Sequence, residues 1–445
     1  MTKFIRVGLL LLFLLSACGL GEEPTAQDAP TAIPPTPTAA LTLEDETETA
    51  VSEEPAVESE ESRQQLIIWL PPSFADRVDV ESETAVFQEQ LHIFAQDHPN
   101  IDILVEEKSV EGSGGMLDYL RTGRPVAPAI LPHLLILPIE RLPIATEAGL
   151  LQPLSAYISN EATADLYPAA QQMVNVDDDL MGYPIFVDNL THMMSQRGIF
   201  IDGLEPIRWR SMAATTGARF VFPAAGFDGA MLLLQTYLAE GGHIADESGV
   251  PLLEMEPLTK ALATFEEGSR QDVIIPESRT MTSLDEVWPY LLEEEGATVA
   301  QTNAIQFLQH QPSLDNIAFA AMSGPANALT PLLDGWAWAL PHSPDETERA
   351  LAAELLIFLS EPEQLAAWSE DSGILPARRA ALAGWTEADT PYIQFVNTEL
   401  EGADKMPVAE HSTIMIALSD AIFNVVSLNQ TAVEAAQTAV SAVSP

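Results

Sequence analysis

The 445-residue sequence predicts an α/β protein built as two lobes. Short apolar runs of strand length alternate with segments of helical spacing, the order of a parallel sheet wrapped by helices. The only cysteine, Cys18, lies outside those runs, so the fold rests on its hydrophobic core and not on disulfides. At this length the core is large enough to divide between two lobes.

The start of the chain accounts for the cysteine. Lys3 and Arg6 precede an apolar run from Val7 to Leu15, which small residues and Cys18 follow. That run is about half of the ~20 apolar residues a spanning helix needs, so it reads as a secretory signal. Leu15-Ser16-Ala17-Cys18 resembles a bacterial lipobox, which implies removal of residues 1–17 and a lipid on the Cys18 thiol. Residues 18–63 then form a Pro-, Thr- and acid-rich stretch without an aromatic side chain. Such a composition buries too little apolar area to offset chain entropy, and proline and acid repulsion extend it. The stretch is expected to tether a folded domain to the extracytoplasmic face of a membrane, with the lipid as the only membrane contact.

Regular structure begins at "QQLIIWL" (64–70), a β-rich apolar run stopped by Pro71-Pro72. Val86, Phe87, Leu91, Phe94 and Ala95 recur at helical spacing until His98-Pro99. "IDILVEE" alternates as a second strand, and glycines 112, 114 and 115 mark a loop. "MLDYLRTG" is a short helix ending at Gly123, and "AILPHLLILPI" is a third strand despite its prolines. Near the end, Ile414, Leu418, Ile422 and Val425 give long helical spacing.

Charge narrows the partners. The 66 Asp and Glu against 19 Lys and Arg give −47; residues 19–63 hold 12 acids and one base, and from residue 64 on the net charge is still −38. Such a field repels nucleic acid and anionic lipid, so neither is expected to bind. Beyond the tether the lysines are Lys108, Lys260 and Lys405, which argues against a highly anionic ligand. Catalytic signatures are missing: there is no nucleophile elbow and no HExxH, and "GSGG" (112–115) lacks the lysine of a phosphate loop. "NVDDDLMG" lacks the trailing glutamate of a calcium loop and reads as a solvated turn. His98, His133, His192, His243 and His310 show no ligand spacing. No catalytic residue, metal or cofactor is assigned, although carboxylates this abundant leave a glycosidase pair open.

The order "IIW … HPNIDILVEE … LDYLRTG … AGLLQPLSAYI … LMGYPIF" resembles the first lobe of carbohydrate-type extracellular solute-binding proteins of ATP-driven importers. "GPANALTPLLDGWAWALPHSPDETERALAAELLIFLSEPEQLAAWSEDSGILPARRAAL" resembles their closing section. The resemblance covers roughly residues 64–390 and implies a periplasmic-binding-protein-like fold, with two α/β lobes around a ligand cleft joined by a hinge. It also implies a monomer that captures a small ligand, a sugar, and delivers it to importer permease subunits. Two positions depart from the family pattern: Ala129 stands where an acid is common, and Ser195 where an asparagine is. Crossings between lobes are expected at Tyr183–Phe186, just after Gln306 and after His342. Lobe 1 then takes 64–186 plus 310–342, and lobe 2 takes 187–309 plus 343–445.

Sugars stack their C–H faces on aromatic rings while their hydroxyls bond carboxylates and amides. Trp69 at the end of the first strand, Tyr183 and Phe186 at the expected crossing, and Trp209 are therefore candidate ligand contacts. Trp336 and Trp338, which share a face in "DGWAWALP", and the polar pair Asp188 and Asn189 complete the set. Two alternatives stay open: a lipid-anchored hydrolase, and a solute-binding fold turned receptor with its pocket lost. Mass spectrometry of the mature protein is expected to find an N-terminal peptide that begins at a lipid-modified Cys18; an unmodified Cys18 or cleavage elsewhere overturns the anchor.

Overall fold

The computed structural model describes residues 63–75, 85–196, 219–292, 296–310, 317–343, 345–409 and 411–443. Cys18, the tether and Trp209 lie outside them. Three parallel strands open the large sheet: β1 (Gln64–Leu70), β2 (Ile101–Glu107) and β3 (Leu134–Pro138). Helix Val86–Asp97 connects the first two because Phe87, Gln90, Leu91 and Phe94 bury one stripe. A two-residue strand, β4 (Leu151–Gln152), and a hairpin of β5 (Asn175–Val176) and β6 (Asp179–Leu180) precede β7 (Tyr183–Asp188). Asp177 and Asp178 take φ of 51° and 70° at the tip of that hairpin, the left-handed pair of a tight turn.

The chain then enters a second sheet of β8 (Thr191–Gln196), β9 (Phe220–Val221), β10 (Val299–Asn303) and β11 (Ile317–Ala320), in the order β11-β8-β10-β9. It returns as β12 (Leu332–Pro341), the longest described strand, followed by the two-residue strands β13 (Leu375–Pro376) and β14 (Asp404–Lys405). The large sheet runs β13-β7-β12-β3-β1-β2, with β4 and β14 also on β12. β1 is buried from Leu66 to Leu70 on both faces, as a central parallel strand should be.

Two apolar cores result. One packs the large sheet under helices Val86–Asp97, Glu346–Leu359 and Pro362–Ser372. The other joins one face of the small sheet to helices Phe227–Ala239, Met255–Arg270, Thr413–Val426 and Ala432–Val443. Helix Glu346–Leu359 is started by Asp345, whose side chain accepts from the backbone N–H of Thr347 and Glu348. Helix Pro362–Ser372 starts on proline and stops at Gly373, whose φ is 66°.

The expected crossings move. Tyr183–Phe186 lies inside β7, since a buried apolar run is better used in a sheet than in a hinge, and the chain crosses at Asn189-Leu190. Helix Ala304–Gln309, which holds Gln306, directly follows β10, and β11 pairs with β8 of the same small sheet, so the second crossing is 321–331. Residues 345–405 stay on the large sheet, because both helices bury their apolar stripes against it; only 413–443 packs on the small-sheet side. The expected boundaries at 310 and 343 shift accordingly, to about 321 and 406.

At Gly335 β12 approaches β7 so closely that a Cβ would lie 2.2 Å from the Phe186 carbonyl oxygen. Gly335→Ala is therefore expected to lower stability by about 1–3 kcal/mol in denaturant unfolding. An unchanged midpoint would mean that the two backbones are free to part.

Candidate functional site

Strand ends and register place the candidate site. β1, β2 and β3 are parallel and end at Leu70, Glu107 and Pro138, so all three point their carboxyl ends to one edge of the large sheet. β12 runs the other way with Trp336 opposite Pro138, and β7 places Asp188 opposite Asp334, so these residues share that edge. Both crossings to the small sheet, 189–190 and 321–331, leave from the same edge. In open α/β sheets, ligands bind outside the carboxyl ends of the strands.

Several polar clusters occupy the edge. Trp69 Nε1 donates to Glu106 at 3.0 Å, and Lys108 bridges the same carboxylate at 3.0 Å. The Lys108 ammonium lies 5.0 Å above the Trp69 ring and 5.6 Å above Tyr119, which meets Trp69 edge-on at 5.9 Å. Just past β3, Arg141 pairs with Glu111 at 2.7 Å and with Glu140 at 3.2 Å. The second Glu140 oxygen is buried with no hydrogen-bond partner among the described residues. At the first crossing, Trp336 Nε1 donates to Asp188 at 2.9 Å and Asn189 holds a left-handed φ of 66°.

The expected aromatics do not all meet. Trp69 sits opposite Leu135 and Leu135 opposite Ala339, whereas Trp336 and Trp338 sit opposite Pro138 and Ile136; Trp69 thus faces the other side of the sheet from the tryptophan pair. Trp338 is fully buried against the stacked pair Phe87 and Trp368, and its Nε1 has no partner among the described residues. Phe186 is fully buried against Phe74 and Trp368. Tyr183 is buried too, donating to the Ala162 carbonyl at 3.3 Å, and burial pushes its hydroxyl up to about 12. These three side chains fill the core, and so does Trp69, which is 1% exposed. Trp336, 8% exposed, packs on Phe74 at 5.2 Å and reaches the edge through its indole N–H. Sequence reasoning missed Glu106, Glu111, Glu140 and Arg141; the scarcity of bases was the available signal, since Lys108 and Arg141 each follow a strand end.

Behind the first crossing, His192 is fully buried. One ring nitrogen lies 3.1 Å from the Met193 carbonyl and the other 2.9 Å from the Tyr392 hydroxyl, with Phe307 and Phe395 packed edge-on. Burial pushes the imidazole down to about 4, against the smaller opposing effect of the Met193 carbonyl.

Comparison with known proteins agrees with this layout. Residues 91–392 match the family model described as bacterial extracellular solute-binding protein. The chain belongs to that family. The family supplies the binding components of ATP-driven uptake and is non-catalytic, so the chain is a binding protein and not an enzyme. Among solved structures it resembles the sugar-binding protein MalE of Xanthomonas citri, with 17% identity and a TM-score of 0.68 over 85% of this chain and 96% of that one. It also resembles the cyclic alpha-maltosyl-1,6-maltose binding protein of Arthrobacter globiformis, with 16% identity and a TM-score of 0.65 over 86% and 98%. Maltose-bound MalE3 of T. maritima is similar at 16% identity and a TM-score of 0.61 over 85% and 98%. The mixed α/β periplasmic-binding-protein fold is thereby shown. No curated protein sequence matches the chain.

The buried imidazole predicts a pH dependence. Its folded pKa lies below the ordinary 6.5, so between pH 6.5 and about 4 the unfolded chain binds a proton that the folded chain does not. Stability from this residue is complete above pH 6.5 and falls as pH drops towards 4, by roughly 3 kcal/mol in all. Denaturant midpoints measured across this range are expected to fall more steeply for the wild type than for His192→Phe. Parallel curves would sink the assignment.

Proposed function

We propose that the protein is a lipid-anchored receptor that captures a carbohydrate between its two sheets and delivers it to importer permease subunits. The observation that carries the reading is the single sheet edge from which both crossings depart. Along its strand ends stand the Trp336–Asp188 pair and Asn189, the Trp69–Glu106–Lys108 cluster, whose Trp69 is on the opposite face of the sheet from Trp336, and Arg141. Carboxylates, an amide and a guanidinium suit hydroxyl groups, and the exposed ring of Tyr119, which stands edge-on to the buried Trp69, suits sugar C–H faces. Crossings on one edge suit hinge closure, in which the ligand stabilises the closed form through its higher affinity for that form. The names of the structurally similar proteins, which include maltose and a cyclic maltosyl-maltose, support a neutral oligosaccharide. No bond is made or broken.

Calorimetric titration with a panel of malto-oligosaccharides is the direct test, and saturable binding to at least one member is expected. Asp188→Asn and Trp336→Phe are each expected to weaken it about tenfold, near 1.4 kcal/mol. Silence across the sugar panel would reject the carbohydrate reading, and unchanged affinity in both variants would move the site elsewhere.

A further inference from the structure

A cavity of about 350 Å³ opens where the second crossing passes the C-terminal end of helix Phe227–Ala239. Gln235 and Leu238 of that helix, Asn327 and Thr330 of the crossing, Leu332 at the start of β12 and Asp404 of β14 contribute to its wall. Gln235 is 3% exposed. Its Nε2 donates to the Thr330 carbonyl at 3.1 Å, while its Oε1 is buried with no hydrogen-bond partner among the described residues. A buried amide oxygen without a donor is costly and needs an explanation. Asp404 is the one ionisable group among the described lining residues, and it is exposed.

The wall thus asks for hydrogen-bond donors at Gln235, positive charge at Asp404 and an apolar stem between them along Leu238 and Leu332. We propose that this cavity is a second binding site, which takes a short aliphatic amine in its ammonium form. The protein's net charge of −47 concentrates such cations around it. Gln235 belongs to a helix packed on the small-sheet side and Leu332 is buried in that same core, whereas Asp404 belongs to β14, which pairs with β12 of the large sheet. An amine held between them binds one arrangement of the two sheets better than another, and so shifts the affinity of the sheet-edge site.

Putrescine titrated calorimetrically into the full-length chain at low ionic strength tests the proposal. Saturable one-site binding is expected, weakened about tenfold by Asp404→Asn, the weight of one charge-assisted hydrogen bond. Gln235→Leu is expected to weaken it as well, and Asp404→Asn keeps the test decisive if that variant fails to fold. Glu277→Gln, which changes an exposed acid away from the cavity, should leave binding unchanged. Absence of saturable heat overturns the site. Equal weakening by Asp404→Asn and Glu277→Gln also does, since it reveals a general attraction to acidic surface. Where a malto-oligosaccharide binds, it should bind the putrescine-saturated protein with the same stoichiometry and an altered affinity. Mutual displacement would place the amine at the sheet edge and reject the second site.

Discussion

The structure depends on the ladder that β12 makes with its neighbours. This strand hydrogen-bonds to β3 on one side and to β7 on the other, and β4 and β14 pair with its two ends. The contact with β7 is close enough at Gly335 to exclude any side chain there. It also sets the register that brings Trp336 to Asp188 and aligns Asp334 with the first crossing. Remove the ladder, and β7 and β13 lose their link to the parallel strands, so the edge that carries the candidate site no longer exists as one edge.

The two sheets are joined by more than their crossings. Helix Pro391–Glu401 is tied to the large-sheet side through Tyr167 and Asn397 at 2.7 Å and through Arg379 and Glu401. Its Tyr392 packs against Phe307 at 4.0 Å and bonds His192 of the small sheet. Sliding of the two halves must therefore repack an apolar, hydrogen-bonded contact. Asn189, one residue beyond β7, keeps a conformation that few residues adopt outside glycine, which fixes the direction in which the chain leaves the large sheet.

Much of the fold was legible in the sequence. The run "QQLIIWL", the stripe from Phe87 to Phe94 and the alternation of "IDILVEE" became β1, a helix and β2, because apolar periodicity records burial directly. The turn at Asp177-Asp178 and the C-terminal helices followed for the same local reasons. The crossings were not legible. Tyr183–Phe186 reads as apolar wherever it lies, and only its pairing with β12 shows that it is sheet interior. Of the candidate residues, Trp336 and Asp188 meet at the sheet edge, but Trp69, Tyr183, Phe186 and Trp338 are buried in the core, since an aromatic residue looks the same in a cleft and under a helix. Glu140 and Arg141 were passed over because a carboxylate in so acidic a chain carries little signal until a structure shows what stands beside it.

The position of β12 in the chain has a consequence for biogenesis. Its residues 332–341 insert between strands made of residues 134–138 and 183–188, so the middle of the large sheet is synthesised after both of its neighbours. Until that segment arrives, β3 and β7 each present an unpaired edge, and closing the sheet requires contacts across some two hundred residues of chain. A polypeptide still threading out of the cell is thus prevented by its own topology from completing its fold early.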